Sequence, residues 1–229
     1  MQERLEFFPG EKRLLYLVDG KRKLEVEAWG GPEHQLPRSP GEPFGAGPTD
    51  PGRYVIWTTG PYVTPTWPWS RVPWGSRLRE STQDPGDVLY EAGHGKWMSV
   101  RRLTGMKKAQ IARAYHQLYG RWRVPETWVF NDFGPLAIRY FRDRNGDGVL
   151  DGHEHLSGEM FHTTPDNEAQ DALYRAAHPG AVDEPPVQLF ESHGCIHLRP
   201  ADRARMMGAG GFRRGMRLVI HTYRERFSE

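Results

Sequence analysis

The sequence predicts an α+β fold, mostly β, with helices set between the strands. Short apolar runs with period-two alternation recur along the chain, and Gly- and Pro-rich stretches separate them. Helical spacing with end signals occurs in only a few segments. At 229 residues the chain fits a single domain, 1–229, with insertions at about 60–140 and 165–190. Hydrophobic residues make up 37%, enough for a core, and 31 Lys+Arg against 29 Asp+Glu leave a net charge of +2. So even a balance argues against a nucleic-acid-binding surface. No apolar run approaches the roughly 20 residues of a membrane span. The single cysteine excludes an internal disulfide framework.

The elements follow in order. Leu14–Val18 and Leu24–Trp29 read as a β-hairpin: Leu24, Val26 and Ala28 alternate with charged residues, and Asp19-Gly20 supplies the turn. Residues 30–52 are Gly- and Pro-rich, hence loop, and Tyr54–Trp57 is a short strand. Residues 57–74 hold four of the eight tryptophans without a period. They read as a loop pinned by its own rings, or as a lid beside a groove. Thr104–Tyr119 is a helix, with Thr104 as N-cap and Gly120 as stop. Leu136, Ile138 and Tyr140 alternate as a strand, and Gly158–Thr164 reads as another. Asp166–Ala177 and Pro200–Met207 are helices, and Arg217–Tyr223 is a closing strand. The opening MQERLEFFPGEKRL lacks the pattern of a secretory signal. The expected location is the periplasm or cell envelope if the protein is exported, and otherwise the cytoplasm or outside the cell as a secreted effector.

Chemistry concentrates in Phe190-Glu191-Ser192-His193-Gly194-Cys195-Ile196-His197-Leu198. A thiol beside imidazole can become a nucleophilic thiolate near neutral pH. Cys195 is therefore expected to be partly exposed, with a depressed pKa. Gly194 lets the backbone approach a substrate carbonyl, N–H groups at Gly194 and Cys195 can hold an oxyanion, and the Ser192 hydroxyl can orient an imidazole. An inert core thiol is the competing reading. A structural zinc site would need four ligands, and no second cysteine exists. Nothing around Cys195 has the local signature of papain-like proteases.

Ser192-His193-Gly194-Cys195-Ile196, followed by the Pro200-Ala201-Asp202 helix start, resembles the active-site segment of the L,D-transpeptidase (YkuD-like) family. Upstream, Thr49-Asp50-Pro51-Gly52-Arg53-Tyr54-Val55-Ile56 is similar to the family's Thr-Pro-x-Gly-x-Phe/Tyr-x-Ile stretch. Phe161-His162-Thr163-Thr164 is similar to its His-Gly-Thr/Ser strand end, and Gly215–Ile220 to its final strand. The chain departs in having His197 where the family has Arg, with Arg199 two residues on, and Thr163 where the family has Gly. His162 also precedes Ser192 by 30 positions, a longer gap than is usual in the family.

The resemblance implies a bacterial L,D-transpeptidase-like β-sandwich with inserted helices. It implies acyl transfer on peptidoglycan stem peptides, through a thioester at Cys195 and without a cofactor. His162 would be the base, its other nitrogen held by the Thr163 carbonyl. His193, Gly194 and Ser192 would shape the site, and His197 and Arg199 would contact substrate. His178 competes with His162 for the base. Cross-linking, D-amino-acid exchange and carboxypeptidase trimming share this chemistry. A delivered cell-wall-targeting toxin of the same fold is one alternative, and a non-catalytic calcium-stabilised cell-wall-binding module is another.

Residues 143–154 also fit the twelve-residue calcium loop. Asp143, Asn145 and Asp147 take positions 1, 3 and 5, and Gly148 takes 6. The Val149 carbonyl takes 7, Asp151 takes 9 and Glu154 takes 12. Both flanks read as strands, so the loop is expected to tip a hairpin and to hold a structural rather than catalytic Ca2+. A plain Asp/Asn/Gly turn is the competing reading.

Overall fold

A computed structural model describes residues 2–40, 42–181 and 183–228. In chain order the strands are β1 (Glu3–Phe8), β2 (Arg13–Val18), β3 (Lys21–Trp29), β4 (Gly52–Gly60), β5 (Leu78–Glu80), β6 (Val88–Glu91), β7 (Trp97–Ser99), β8 (Ala137–Arg142), β9 (Leu156–His162), β10 (Ile196–Leu198) and β11 (Arg217–Ile220). The helices are α1 (Val100–Thr104), α2 (Lys108–Tyr119), α3 (Pro165–Ala177) and α4 (Pro200–Gly208). The chain divides into two compact units. The first is Met1–Gly60, Ala137–Thr163 and Val187–Glu229; the second is Pro61–Leu136 and Thr164–Pro186.

In the first unit a closed barrel runs β1-β11-β4-β8-β9-β10-β3-β2. This corrects the expected sandwich. The reason is β1, which the sequence reading left without structure. It pairs antiparallel with β2 and parallel with β11, so the sheet closes and no edge is left open. The β2–β3 turn forms as expected: Asp19 and Gly20 both take positive φ, 49° and 77°, the geometry that suits a two-residue hairpin. Leu5, Phe7, Tyr16, Tyr140, Phe161 and Ile196 meet in the interior, with Met206 of α4 and Phe212 packed into the same core.

The second unit has its own core, built on Trp128, Phe130, Val72, Val88, Val100 and Ile111. Its three-stranded sheet, β5-β6-β7, was not expected, because strands of three or four residues carry too little alternation to read. The single expected helix 104–119 is two helices. Thr104 ends α1 instead of capping α2: its hydroxyl donates to the Val100 carbonyl at 2.8 Å, and Gly105 then turns left-handed at φ 82°. The aromatic stretch is pinned by contacts. Arg214 lies 3.6 Å over the Trp57 ring in the first unit. In the second, Trp69 packs edge-on against Phe130 and its carbonyl accepts the Trp128 indole N–H at 3.0 Å.

Candidate active site

Strand register assembles the thiol site. β9 and β10 run parallel, with Ile196 opposite Phe161 and His197 opposite His162. Ile196 and Phe161 point into the barrel core. By alternation His197, His162 and Met160 face the other way, and Cys195 stands immediately before β10, bonded by the Met160 N–H. In the register of the two strands, Cys195 stands two positions before the residue that faces His162. The His162 and His197 rings meet edge to face with centroids 4.7 Å apart.

The turn before β10 is held from several sides. Ser192 is buried; its Oγ accepts the Gly194 N–H at 2.9 Å and donates to the Cys195 carbonyl. The Ser192 hydroxyl therefore shapes the turn and not an imidazole. The Gly194 N–H, expected to face an oxyanion, is occupied by Ser192. Gly194 itself sits at φ 115°, a conformation that needs glycine. Its carbonyl accepts from the Thr49 hydroxyl at 2.9 Å, and that hydroxyl accepts the Gly31 N–H at 3.1 Å. A Cβ on Gly31 would lie 3.0 Å from the Gly194 nitrogen and 1.8 Å from the Gly47 carbonyl oxygen, so only glycine fits there. Tyr223 completes the clamp: its hydroxyl donates to the Gly31 carbonyl at 2.7 Å and accepts the Thr49 N–H at 3.1 Å.

His162 is buried, and its Nδ1 lies 2.9 Å from the Thr163 carbonyl. A carbonyl only accepts, so Nδ1 carries the proton. Burial first, and His197 second, push His162 down to about 3, so the ring is neutral and Nε2 is its acceptor nitrogen. The buried Thr163 also accepts Arg203 at its hydroxyl, 3.1 Å. His197 follows the same pattern, with Nδ1 2.9 Å from the Phe190 carbonyl and burial pushing it down to about 4.

The thiol departs from expectation. Cys195 is partly exposed, as expected. Its surroundings nevertheless push it up to about 12, chiefly through burial; the Met160 N–H lowers it and the charge of Glu159 raises it. His162 and His197 are neutral, so neither supplies a cation to depress it. The resting group is a thiol that needs a base.

The other expected site residues have partners of their own. His193 Nε2 is 3.7 Å from Glu42, and its ring meets Phe44 edge-on at 5.6 Å. Arg199 bonds the Val187 carbonyl at 2.9 Å and pairs with Glu27. His178 belongs to the second unit, where it caps α3: its ring stacks on Tyr174 and Nδ1 lies 3.0 Å from the Tyr174 carbonyl.

Two features of the site went unread. Thr49 was visible as the head of a motif, but its bond to Gly194 was not. Glu159 gave no signal, because a Glu in a strand reads as solvent-facing. It instead shares the inward side with Phe161, accepts the Asp50 N–H at 3.1 and 3.2 Å, and lies 3.4 Å from the Tyr140 hydroxyl.

The acidic loop joins β8 to β9, which pair antiparallel, so it does tip a hairpin. Its side chains bond its own backbone: Asp143 accepts Gly146 N–H at 2.8 Å, Asn145 accepts Asp147 N–H at 3.0 Å, Asp147 accepts Val149 N–H at 2.7 Å and Asp151 accepts His153 N–H at 2.7 Å. Glu154 is buried and reaches back to the Arg144 N–H at 2.6 Å, while its Oε2 is buried without a hydrogen-bond partner. Among the described residues no three His, Cys, Asp or Glu side chains converge as a metal-binding group, and no helix is long and apolar enough to cross a membrane.

No family model matches the chain, and no curated protein matches it in sequence. Among solved structures it is similar to the L,D-transpeptidase (residues 123–326) from Xylanimonas cellulosilytica DSM 15894. The TM-score is 0.38 and the identity 12%, over 96% of this chain and 60% of that one. It is also similar to the Ldtfm-avibactam carbamoyl enzyme, at a TM-score of 0.36 and 12% identity, over 96% of this chain and 49% of that one. Both likenesses are distant and concern the fold; the chain spans less than two thirds of either neighbour.

Proposed function

We propose that the protein is a cysteine acyltransferase acting on peptidoglycan stem peptides as an L,D-transpeptidase, carboxypeptidase or exchange enzyme. The observation that supports this most is the neutral, buried His162. Its Nδ1 proton is held by a carbonyl, and its strand runs parallel to the one that Cys195 leads into. A thiol that is protonated at rest needs such a base. His162 Nε2 takes the thiol proton as sulfur attacks the carbonyl of the L-centred third stem residue. The imidazolium then returns that proton to the departing amine of D-alanine, leaving a thioester on Cys195. An incoming amine or water gives its proton to Nε2 and attacks the thioester, which frees the thiol. No cofactor enters this chemistry. The substrate class rests on the Ser-His-Gly-Cys-Ile segment, and the reaction belongs in the periplasm or cell envelope, where peptidoglycan lies.

Mass spectrometry of the intact protein with purified stem tetrapeptides tests the proposal. The expected result is an acyl adduct on Cys195, release of D-alanine, and neither in Cys195→Ala. Unmodified protein and untouched peptide would overturn it and favour a binding module.

We also propose that residues 143–154 take a structural Ca2+, because the partnerless Glu154 Oε2 sits at the position that closes such a loop. Calcium at about 100 times its Kd is expected to add about 2.7 kcal/mol to stability, read as a raised Tm that Glu154→Gln abolishes. A Tm indifferent to both calcium and EGTA would reject the ion.

A further inference from the structure

Glu159 is an inward-side carboxyl where the Cys195 turn meets the barrel. A Cβ on Gly194 would lie 2.9 Å from its Oε1, so the carboxyl packs directly against the turn that presents the nucleophile. From the Asp50 segment it receives the Asp50 N–H. On β8 it meets the Tyr140 hydroxyl, and on its own strand its N–H is held by Ser157 Oγ at 3.1 Å. The charged and titratable groups around it are few. Arg142 of β8 is drawn to Asp50 at 2.6 Å and to the Tyr54 hydroxyl of β4 at 2.8 Å, so its cation is already shared. The Asp50 carboxylate, Tyr54 and Tyr223 are the others. Burial, the largest cause, holds Glu159 up at about 7, helped by the Asp50 charge and opposed by its hydrogen bonds and by Arg142. Its charge in turn raises both Cys195 and Tyr140.

We propose that Glu159 is a positioning residue of the thiol site, a carboxyl that braces the Gly194–Cys195 turn and whose charge governs how readily Cys195 gives up its proton. This rests on the thiol being the reactive group, not on the identity of its substrate. The sign follows from Coulomb's law: an ionised Glu159 opposes a thiolate beside it, and a protonated one does not. Alkaline conditions therefore restrain the thiol, and the nucleophile is easiest to ionise, relative to bulk pH, while Glu159 still holds its proton.

Alkylation by iodoacetamide between pH 5.5 and 9.5 reads this directly, and needs neither stem peptide nor turnover. In the parent protein the logarithm of the rate is expected to rise with pH, flatten across the ionisation of Glu159, and rise again. In Glu159→Gln, which keeps the Asp50 N–H bond, the rise is expected to be unbroken. The variant should match the parent at pH 5.5 and exceed it by about tenfold at pH 9, the range expected for two charges several ångströms apart near a protein surface. Glu159→Leu, which removes brace and charge together, is expected to lose the inflection too, and Tm of each variant shows that it folds. Superimposable profiles in parent and Glu159→Gln would overturn the proposal. Unbroken tenfold enhancement with no acyl adduct on stem peptides would uphold it while rejecting the proposed substrate.

Discussion

The two units solve the same problem, burying a core, by different means. The barrel unit closes its sheet on itself, and each site residue hangs from a register between named strands: His197 against His162, Ile196 against Phe161. The second unit gathers side chains around Trp128, with three short strands and three helices. Their histidines differ accordingly. His162, which is buried, and His197, which is partly so, are neutral and held at Nδ1 by carbonyls on strands or the turn before them. His178 and His116 stack on aromatic neighbours along their own helical segments, against Tyr174 and Trp122. A closed sheet can aim a ring at a fixed partner; a helix end holds one only against its own turn.

The comparison breaks most visibly if the base lies in the wrong unit. His162→Ala is expected to slow acylation of Cys195 by about 10²- to 10⁴-fold, and His178→Ala to leave it within about twofold. Rapid-quench mass spectrometry distinguishes them, and the reverse order would move the base to α3. Truncation of each core should cost about 3–5 kcal/mol, for Phe161→Ala in the barrel and for Trp128→Ala in the second unit. Hydrogen exchange should then show each variant losing protection first in its own unit. Uniform loss in both would mean the units unfold as one.

Acid provides a smaller contrast. His162 and His197 bind protons less readily folded than unfolded, so between about 3 and 6.5 the unfolded chain holds more protons and stability falls as pH falls. Glu159 acts in the opposite sense, gaining on acidification toward its raised value of about 7. Urea titrations at pH 7.5 and 5 should show a net loss on the order of a few kcal/mol, reduced in His162→Gln. The smallest effect belongs to the clamp. Thr49→Val leaves the Gly194 carbonyl without its partner, with an expected cost of about 1–3 kcal/mol in urea unfolding.

What the sequence made legible was local. The Asp19-Gly20 hairpin, the Pro-headed α4 and the Ser-His-Gly-Cys turn announce themselves in contiguous residues. The helix at 104–119 failed at one residue, since Thr104 can open a helix or close one and only the following Gly105 decides. Other losses were long-range. Glu3–Phe8 is a mixed charged and apolar stretch with nothing to mark it as a strand until β11, more than two hundred positions away, gives it a partner. Glu159 looks like any strand glutamate until Gly194 and Tyr140 are folded over it. The thiol's proton affinity misled for a related reason. Imidazoles adjacent in sequence suggest a cation beside the thiol, but burial, which only the fold supplies, lowers His197 and raises Cys195 itself.

The parallel seam between β1 and β11 also fixes an order of events during synthesis. β1 leaves the ribosome long before its second neighbour, Arg217–Ile220, which is made only after the nucleophile, its base and the whole second unit have emerged. Until then the barrel is an open sheet with two raw edges, and closing it means bringing together segments separated by almost the entire chain, a slow step by its contact order. Cys195 is therefore made well before its final surroundings exist. It spends that interval as an ordinary accessible thiol, and it acquires its guarded chemistry only when the last strand docks.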